Sequence, residues 1–434
     1  MQMKDSGIPW LGEIPRGWKI TRVKYCFSNV KEIVGGKVDN YERLALTMNG
    51  VVKRSKDDST GLQPDKFETY QILRPNELVF KLIDLQNVST SRVGLSPYLG
   101  IVSPAYIILK CNNNIDPKFA EKYFLMMWKN HIFNALGDAG VRSSLSSTDL
   151  LELPIVLPPI DEQRQIAVFL EKKCVEIDEL IFLHEQQIER LKAYNQSIIT
   201  EAVTKGVNNL TPKLNGGGYE LSHNIFAVPV KDSGVDYIDE IKADWKISKI
   251  GFVCTKLTRG FSEDDPALIC SNKGNVVFRD EQHACGKMVS EDNAMQGIHI
   301  GDIAIHGMDT WHGAIGFSNI RGKITRVVHV CDSTEDKRFI VYYLKSLAYQ
   351  GVYKLISNGI RGNTSDFRSW DKVKDIYICL PSIVEEEKQI CDYLDSVIES
   401  VDKIIVGKKA QLDMLDEYKK SLIYEYVTGK KVMR

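Results

Sequence analysis

The sequence of 434 residues has few of the patterns that define membrane proteins, secreted proteins or metal sites. No run approaches the roughly 18 to 20 apolar residues that cross a bilayer. The N-terminal residues lack the apolar segment of a signal peptide, so we expect a cytoplasmic protein. The nine cysteines stand singly, without a C-x-x-C pair, which disfavours zinc knuckles and thioredoxin-like redox sites. We expect nine free and mostly buried thiols.

Motifs of nucleotide chemistry and of hydrolysis are also missing. There is no G-x-x-x-x-G-K-[ST] phosphate loop, no G-x-G-x-x-G turn, no H-E-x-x-H and no G-x-S-x-G. Leu157-Pro-Pro-Ile lacks the Asn or Asp of an amino-methyltransferase motif. His306 and His312 have no cysteine or carboxylate at ligand spacing, which favours surface or groove histidines over a metal site. The sequence therefore predicts no catalytic residue, no metal and no cofactor in this chain.

What the sequence does contain is a long internal repeat. Lys4-Asp-Ser-Gly and Trp18-Lys-Ile recur, at an offset of 227, as Lys231-Asp-Ser-Gly and Trp245-Lys-Ile. A later block, from Gln165 onwards, repeats at an offset of 224. Matches of this length in register indicate a duplication.

Each half combines a globular segment with one long helix. The globular segments mix β-rich runs, such as 77–81 and 106–110, with helical stretches such as 117–130. The predicted fold class is α+β with an internal pseudo-twofold repeat. The predicted divisions are a first globular domain at 1–158, a first helix at 159–206, a linker at 207–230, a second globular domain at 231–381 and a second helix at 382–434.

Apolar residues recur three or four positions apart along both predicted helices, as on the contact face of a coiled coil. About 42 residues at 1.5 Å each would make a rod of roughly 60 Å. The predicted apolar seam residues are Ile166, Leu170, Ile177, Ile181, Ile188, Leu191, Ile198, Ile390, Leu394, Ile398, Val401, Ile405, Leu412, Leu415 and Leu422. Four further seam positions are polar, at His184, Asn195, Lys408 and Lys419. These four residues either set the register of the helix pair or reach solvent at the edge of the seam.

Charge is divided unequally between the two kinds of segment. Residues 161–206 and 385–431 together carry a net charge of −6, whereas the remainder carries +5. Basic globular segments beside acidic helices are expected if only the globular segments approach phosphates.

These features together resemble the specificity subunit of type I restriction–modification enzymes, over essentially the whole chain. The matching motifs are K-D-S-G…E-I-P-x-x-W near the N-terminus, L-P-[PS]-I opening each helix, V-T-[KG] closing it, and Gly301-Asp-Ile…Met308-Asp-Thr-Trp in the second half. One departure is Gly322-Lys-Ile-Thr-Arg-Val, where the first half has a G-I-V-S-P-x-Y run at Gly100. The strand boundaries near Gly322 are therefore left open.

The resemblance implies a non-catalytic subunit in which each globular segment is a target-recognition domain. The two domains would read the two halves of a bipartite, asymmetric site in double-stranded DNA. The helices would pack antiparallel as a coiled coil, separate the domains and dock two methyltransferase subunits. Those partners would bind S-adenosylmethionine and methylate adenine N6, and a motor-nuclease restriction subunit would use ATP and Mg²⁺.

Two alternatives stay open at this point. The chain could be a structural coiled-coil adaptor that never touches DNA, or a self-contained DNA-modifying enzyme.

Candidate DNA contacts are polar donors in glycine-containing loops and basic side chains of the globular segments. They are Lys53, Arg54, Lys56, Lys81, Arg92, Arg142, Ser143, Ser144, Lys256, Arg259, Arg279, Arg321, Arg326, Arg361, Asn363 and Thr364. The Gly-Val-Arg and Gly-Ile-Arg runs that end at Arg142 and Arg361 stand at similar places in the two halves. For any one of these residues the alternative is an ordinary solvated surface. Trp18 and Trp245 are expected to be core anchors.

Overall fold

The computed structural model describes residues 2–58, 66–86, 90–136, 144–207, 213–215, 218–220, 229–279, 294–357 and 366–432. The chain divides into two compact units. Unit 1 comprises Met1–Glu185 and Lys409–Arg434, and unit 2 comprises Gln186–Lys408. Each unit contains a globular head of mixed structure and parts of the two long helices. The predicted α+β class is confirmed, with 42% of the described residues helical and 26% in strands.

The described residues contain nine α-helices. They are α1 (Pro117–Lys129), α2 (Ile132–Leu136), α3 (Ser147–Glu152), α4 (Ile160–Lys205), α5 (Ile250–Val253), α6 (Lys337–Tyr349), α7 (Val352–Leu355), α8 (Trp370–Lys374) and α9 (Val384–Val427). The two long helices α4 and α9 occur where the sequence predicts them.

Twelve strands lie in the described part of unit 1. They are β1 (Met3–Asp5), β2 (Glu13–Pro15), β3 (Lys19–Arg22), β4 (Phe27–Asn29), β5 (Glu42–Thr47), β6 (Gly50–Arg54), β7 (Gln71–Leu73), β8 (Glu77–Phe80), β9 (Val93–Leu95), β10 (Gly100–Val102), β11 (Ile107–Cys111) and β12 (Pro154–Leu157).

The unit 1 head is built around two four-stranded sheets. The helix-backed sheet has the strand order β4-β11-β8-β9, all antiparallel, and α1 packs against it. The hairpin sheet has the order β6-β5-β10-β7, in which β5 and β10 run parallel. The Asp116 side chain caps α1 by accepting from the N–H groups of Lys118 and Phe119, and Pro117 suits the first helical turn.

Fourteen strands lie in the described part of unit 2. They are β13 (Lys213–Asn215), β14 (Gly218–Glu220), β15 (Val230–Val235), β16 (Ile238–Lys242), β17 (Lys246–Lys249), β18 (Cys254–Lys256), β19 (Leu268–Cys270), β20 (Val276–Phe278), β21 (Met295–Ile298), β22 (Ile303–His306), β23 (Ile315–Phe317), β24 (Gly322–Thr325), β25 (Val328–Ser333) and β26 (Tyr377–Leu380).

The unit 2 head repeats the plan of the unit 1 head. Its helix-backed sheet has the order β18-β25-β22-β23, and α6 packs against it. Its hairpin sheet consists of the ladders β20–β19 and β24–β21, which a parallel bridge between Ala267 and Lys323 joins. The corresponding bridge in unit 1 joins Arg43 and Ile101.

Two glycines show that the repeat extends into the heads. A Cβ atom on Gly100 would lie 2.5 Å from the carbonyl oxygen of Glu42 and 2.6 Å from Cγ of Leu44. A Cβ atom on Gly322 would lie 2.5 Å from the carbonyl oxygen of Pro266 and 2.7 Å from Cγ of Leu268. Only glycine permits such close backbone approach. Gly322–Thr325 is therefore the counterpart of the strand at Gly100, and its bounds are the strand boundaries that the sequence left open.

The two tryptophans of the repeated W-K-I motif are core anchors, as predicted. Trp18 is 2% exposed and Trp245 is fully buried. Each indole N–H donates to a glutamate at the start of a long helix, at 3.2 Å in both units, to Glu162 from Trp18 and to Glu386 from Trp245. Each head is thereby joined to the beginning of the helix that follows it.

Within each unit, α4 and α9 run antiparallel. In unit 1 the Phe169 and Tyr426 rings lie 4.6 Å apart, and Lys419 donates to the carboxylate of Asp178 at 2.5 and 2.7 Å. In unit 2 Lys408 donates to the side-chain oxygen of Gln187 at 2.6 Å. Residue numbers that rise along α4 while they fall along α9 define the antiparallel direction.

The fifteen apolar seam residues named from the sequence are all buried or partly buried. The two lysines of the seam donate across to the other helix of their unit. The buried Nδ1 of His184 and Oδ1 of Asn195 have no hydrogen-bond partner among the described residues. The polar seam residues of the two helices therefore differ. Those of α9 make hydrogen bonds across the seam, whereas those of α4 bury a polar atom without a partner among the described residues, which reduces stability.

Candidate DNA interface

Three of the cations named from the sequence lie beside one groove of the unit 1 hairpin sheet. Lys53, Arg54 and Lys56 line this groove of about 500 Å³ together with Arg43. Lys53 pairs with Glu42 at 2.6 Å, and Arg54 donates to Asp58 at 2.7 Å. The ammonium group of Lys56 donates to the carbonyl oxygen of Val38 at 2.8 Å.

These intramolecular partners hold the three cations at the end of β6. Because the exposed Lys53–Glu42 pair is weak, a phosphate oxygen could replace its carboxylate.

Lys81 and Arg92 lie elsewhere, in the connection between β8 and β9 of the helix-backed sheet. Arg92 is 1% exposed, and its guanidinium donates to the carbonyl oxygens of Ile83 and Asp84. Burial, followed by the nearby Arg92, lowers the pKa of Lys81, whose ammonium donates to Thr90 at 3.2 Å. Arg92 therefore supports a loop from within and offers no surface to DNA, so we leave it out of the proposed interface.

Four of the five candidate cations of unit 2 that the structure describes border its hairpin sheet. The carbonyl oxygen of Arg259 accepts the N–H of Gly297 in β21, and the N–H of Arg279 donates to Ala267 beside β19. Arg321 immediately precedes β24, and Arg326 follows it and donates to the carbonyl oxygen of Met295 at 3.1 Å. Lys256 is the exception, because it is an exposed residue of β18 at the edge of the helix-backed sheet.

These cations differ in how freely they could reach a phosphate. Arg321 is 61% exposed and lies 3.3 Å from the carboxylate of Asp265. Arg259 makes two hydrogen bonds, at 3.1 and 3.2 Å, to the buried carboxylate of Asp302. We therefore regard Arg321 as a better candidate for phosphate contact than Arg259.

Arg54 and Arg279 occupy equivalent positions in the two heads. Arg54 follows Lys53, the ladder partner of Leu44, and Arg279 follows Phe278, the ladder partner of Leu268. Leu44 and Leu268 are the counterparts that Gly100 and Gly322 define. Both arginines are candidates for DNA contact from the sequence alone, in which the two hairpin sheets are not aligned.

Most of the two glycine–arginine runs lies outside the described residues, namely Arg142, Ser143, Arg361, Asn363 and Thr364. Ser144 is described and is exposed. The residues that follow the runs are equivalent, since the N–H of Leu145 donates to Leu82 at 2.9 Å and that of Phe367 donates to Gly307 at 3.0 Å.

Leu145 and Phe367, which the structure describes, thus lie beside the residues that follow β8 and β22.

The histidines and most of the cysteines singled out in the sequence can be located in the described ranges. His306 accepts at Nδ1 from the N–H of Asp309 at 3.1 Å, so its ring is part of a turn. No group of three or more His, Cys, Asp or Glu among the described residues could hold a metal ion. Eight of the nine cysteines are described, and all eight are free thiols, seven of them buried. No helix in the described part of the chain is long and apolar enough to span a membrane.

The chain is similar to known proteins of one class. Residues 23–193 match the type I restriction modification DNA specificity domain. The putative type I restriction enzyme MjaX specificity subunit of Methanocaldococcus jannaschii is 23% identical, over 97% of this chain and 95% of that relative. The MjaVIII specificity subunit of the same organism is 24% identical, over 76% of this chain and 74% of the relative.

The fold has a counterpart among solved structures. A chain from a study of complex assembly and conformational transition of the type I R-M system aligns with a TM-score of 0.65 and 14% identity, over 95% of this chain and 98% of that chain. At this identity the likeness concerns the fold alone. The family match and both relatives confirm the resemblance to specificity subunits of type I restriction–modification systems.

Proposed function

We propose that the chain is the DNA-recognition subunit of a type I restriction–modification complex. Its two heads read the two parts of a bipartite site in double-stranded DNA. The observation that carries this proposal is the gathering of candidate cations at the hairpin sheet of both heads, with Arg54 and Arg279 at the same position. Basic groups at equivalent places on two similar scaffolds suit two similar contacts with a phosphate backbone.

The target is asymmetric in this proposal. The two heads share backbone positions, such as those of Gly100 and Gly322, whereas the side chains around them differ. Arg92, for example, has Ala314 as its counterpart, since the N–H groups of Lys81 and His306 donate to Arg92 and Ala314 respectively. Because base readout depends on side chains, different side chains on one backbone plan read different sequences.

The partners in this proposal are two methyltransferase subunits, which dock on the long helices. A repeated pair of helices can present two similar surfaces to two copies of one partner. Adenine methylation, with S-adenosylmethionine, belongs to those subunits, and cleavage with ATP and Mg²⁺ to a restriction subunit. The chain itself contributes recognition in the cytoplasm and no catalysis.

A salt titration tests the proposal. The chain, reconstituted with the modification subunits of its own system, should bind target DNA with an affinity that falls steeply as salt concentration rises. Absence of DNA affinity in a fully assembled complex would support the adaptor alternative. Methylation or cleavage by the chain alone, supplied with S-adenosylmethionine or Mg²⁺, would support the enzyme alternative. Mapping methylated adenines in the host genome with and without the gene would identify the target.

A further inference from the structure

Each head exposes a large aromatic side chain at the same position of the repeat. Tyr25 is 62% exposed, and Phe252, its counterpart at an offset of 227, is 81% exposed. A single exposed apolar residue is ordinary on a protein surface. Two exposed aromatic residues at equivalent positions of a duplicated fold are a feature that both heads share. Packing in the core does not explain them, because both side chains are exposed.

The backbone holds both aromatics rigidly outward. Each lies in a single helical turn between β3 and β4 or between β17 and β18. In unit 1 the N–H of Val23 donates to the carbonyl oxygen of Leu153 at 2.9 Å, and in unit 2 that of Ile250 donates to Ile376 at 2.9 Å. Val23 and the capping Cys26 are buried in unit 1, and Ile250 and Val253 are buried in unit 2. Neither turn can therefore rotate its aromatic residue inward without losing core contacts.

The residue three positions before each aromatic residue forms an ion pair. Arg22 pairs with Glu152 at 2.5 Å, and Lys249 pairs with Asp375 at 2.9 Å. An exposed aromatic residue with a polar rim of both signs is the usual arrangement of a protein–protein anchor.

We propose that Tyr25 and Phe252 are paired anchors for two copies of one protein partner, the modification subunit. The inference rests on the proposed function and extends it, because it places part of the docking surface on the heads as well as on the helices. The two anchors occur once per unit, each after strand β3 or β17. These strands pair with β12 and β26, which lead into the long helices. Two equivalent anchors in one chain suit two identical partner molecules better than one partner or an asymmetric ligand.

The test uses the full chain and the modification subunits of the same system. Tyr25→Ser and Phe252→Ser are made singly and together, and the assembled species are counted by native mass spectrometry during a titration. Each single variant should bind one modification subunit normally and the second about 30-fold more weakly, as expected for the loss of an aromatic hot spot. The double variant should weaken both binding steps.

Two exposed apolar residues without a large apolar counterpart serve as controls. Leu99 is 52% exposed and has Arg321 at its repeat position, and Ile300 is 70% exposed and has Pro75 there. Leu99→Ser and Ile300→Ser should assemble like the wild-type chain. Equal thermal melting of all variants would show that the serines do not unfold the heads.

Three results would overturn the inference. The double variant could assemble with unchanged affinity, it could assemble normally while the complex loses DNA affinity, or the controls could weaken assembly as much as the anchors do. A wild-type chain that binds no modification subunit would contradict the proposed function itself, and the two failures are thereby distinguished.

Discussion

Gln163 and Glu387 occupy the same position at the start of the two long helices and accept the same hydrogen bond. The N–H of Asp116 donates to Oε1 of Gln163, and that of Asp336 donates to Oε2 of Glu387, both at 2.9 Å. Both side chains are 1% exposed. The Gln163 amide also donates to the carbonyl oxygens of Asn114 and Pro158, which an ionised carboxylate cannot do.

The first prediction is that Glu387 makes folding depend on pH. Burial, and to a lesser extent the neighbouring Glu335 and Asp336, raises the pKa of Glu387 from 4.5 to about 7. Because the folded state binds this proton more tightly than the unfolded state, stability should fall as pH rises from about 5 to 7, by roughly 2 kcal/mol. In Glu387→Gln the thermal melting temperature should lose this decline and exceed that of the wild type above pH 7.

The reciprocal change at Gln163 is the matched control. Gln163→Glu should introduce a decline in melting temperature over the same pH range, because it places a buried carboxyl in unit 1. If the melting temperatures of Glu387→Gln and of the wild type changed in parallel with pH across this range, Glu387 would be ionised in the folded state without a cost in stability.

The second prediction compares Gly407, inside α9, with Gly429, which follows the C-terminal end of α9. Gly407 lies in mid-helix with open space around it, so Gly407→Ala should stabilise the chain by about 1 kcal/mol through helix propensity. Gly429 ends the helix with a φ of +72°, and a Cβ atom there would lie 2.4 Å from the Pro15 ring. Gly429→Ala should therefore destabilise by more than about 1 kcal/mol in denaturant unfolding. Equal effects of the two alanines would contradict the packing at Pro15.

The third prediction concerns salt dependence. Arg321→Ala should weaken DNA binding by the reconstituted complex and reduce the salt slope by about one, because one phosphate contact is lost. Arg92→Met should lower the melting temperature, since Arg92 is buried, and should leave the salt slope unchanged. A changed slope in Arg92→Met with an unchanged one in Arg321→Ala would reverse our assignment of the two arginines.

The fourth prediction addresses the helices as a spacer. Four residues inserted after Glu189 in α4, and four after Val406 in α9, add one turn of about 6 Å to each helix. If the helices set the distance between the two DNA contacts, the spacer of the recognised site should lengthen by one or two base pairs. Methylation mapping would measure the spacer, and an unaltered length would mean that the helices do not set it.

Sequence alone determined the features that depend on periodicity and repetition. The duplication, the two long helices and their ends near Gly206 and Gly429 follow from patterns that each span many residues. The runs at 77–81, 106–110 and 117–130 likewise correspond to β8, β11 and α1. Apolar spacing is a local property of the chain, and it survives folding because each element must bury its own apolar face.

The tertiary structure decided what depends on contacts between distant residues. Only the ladders show that Arg54 and Arg279 are counterparts, because the heads have diverged too far for the sequence to align them. Only burial separates Arg92, inside a loop, from the exposed Arg321, although both are basic residues in variable segments. Whether a charged side chain faces solvent or the interior is set by the backbone that surrounds it, and that backbone comes from residues far away in the chain.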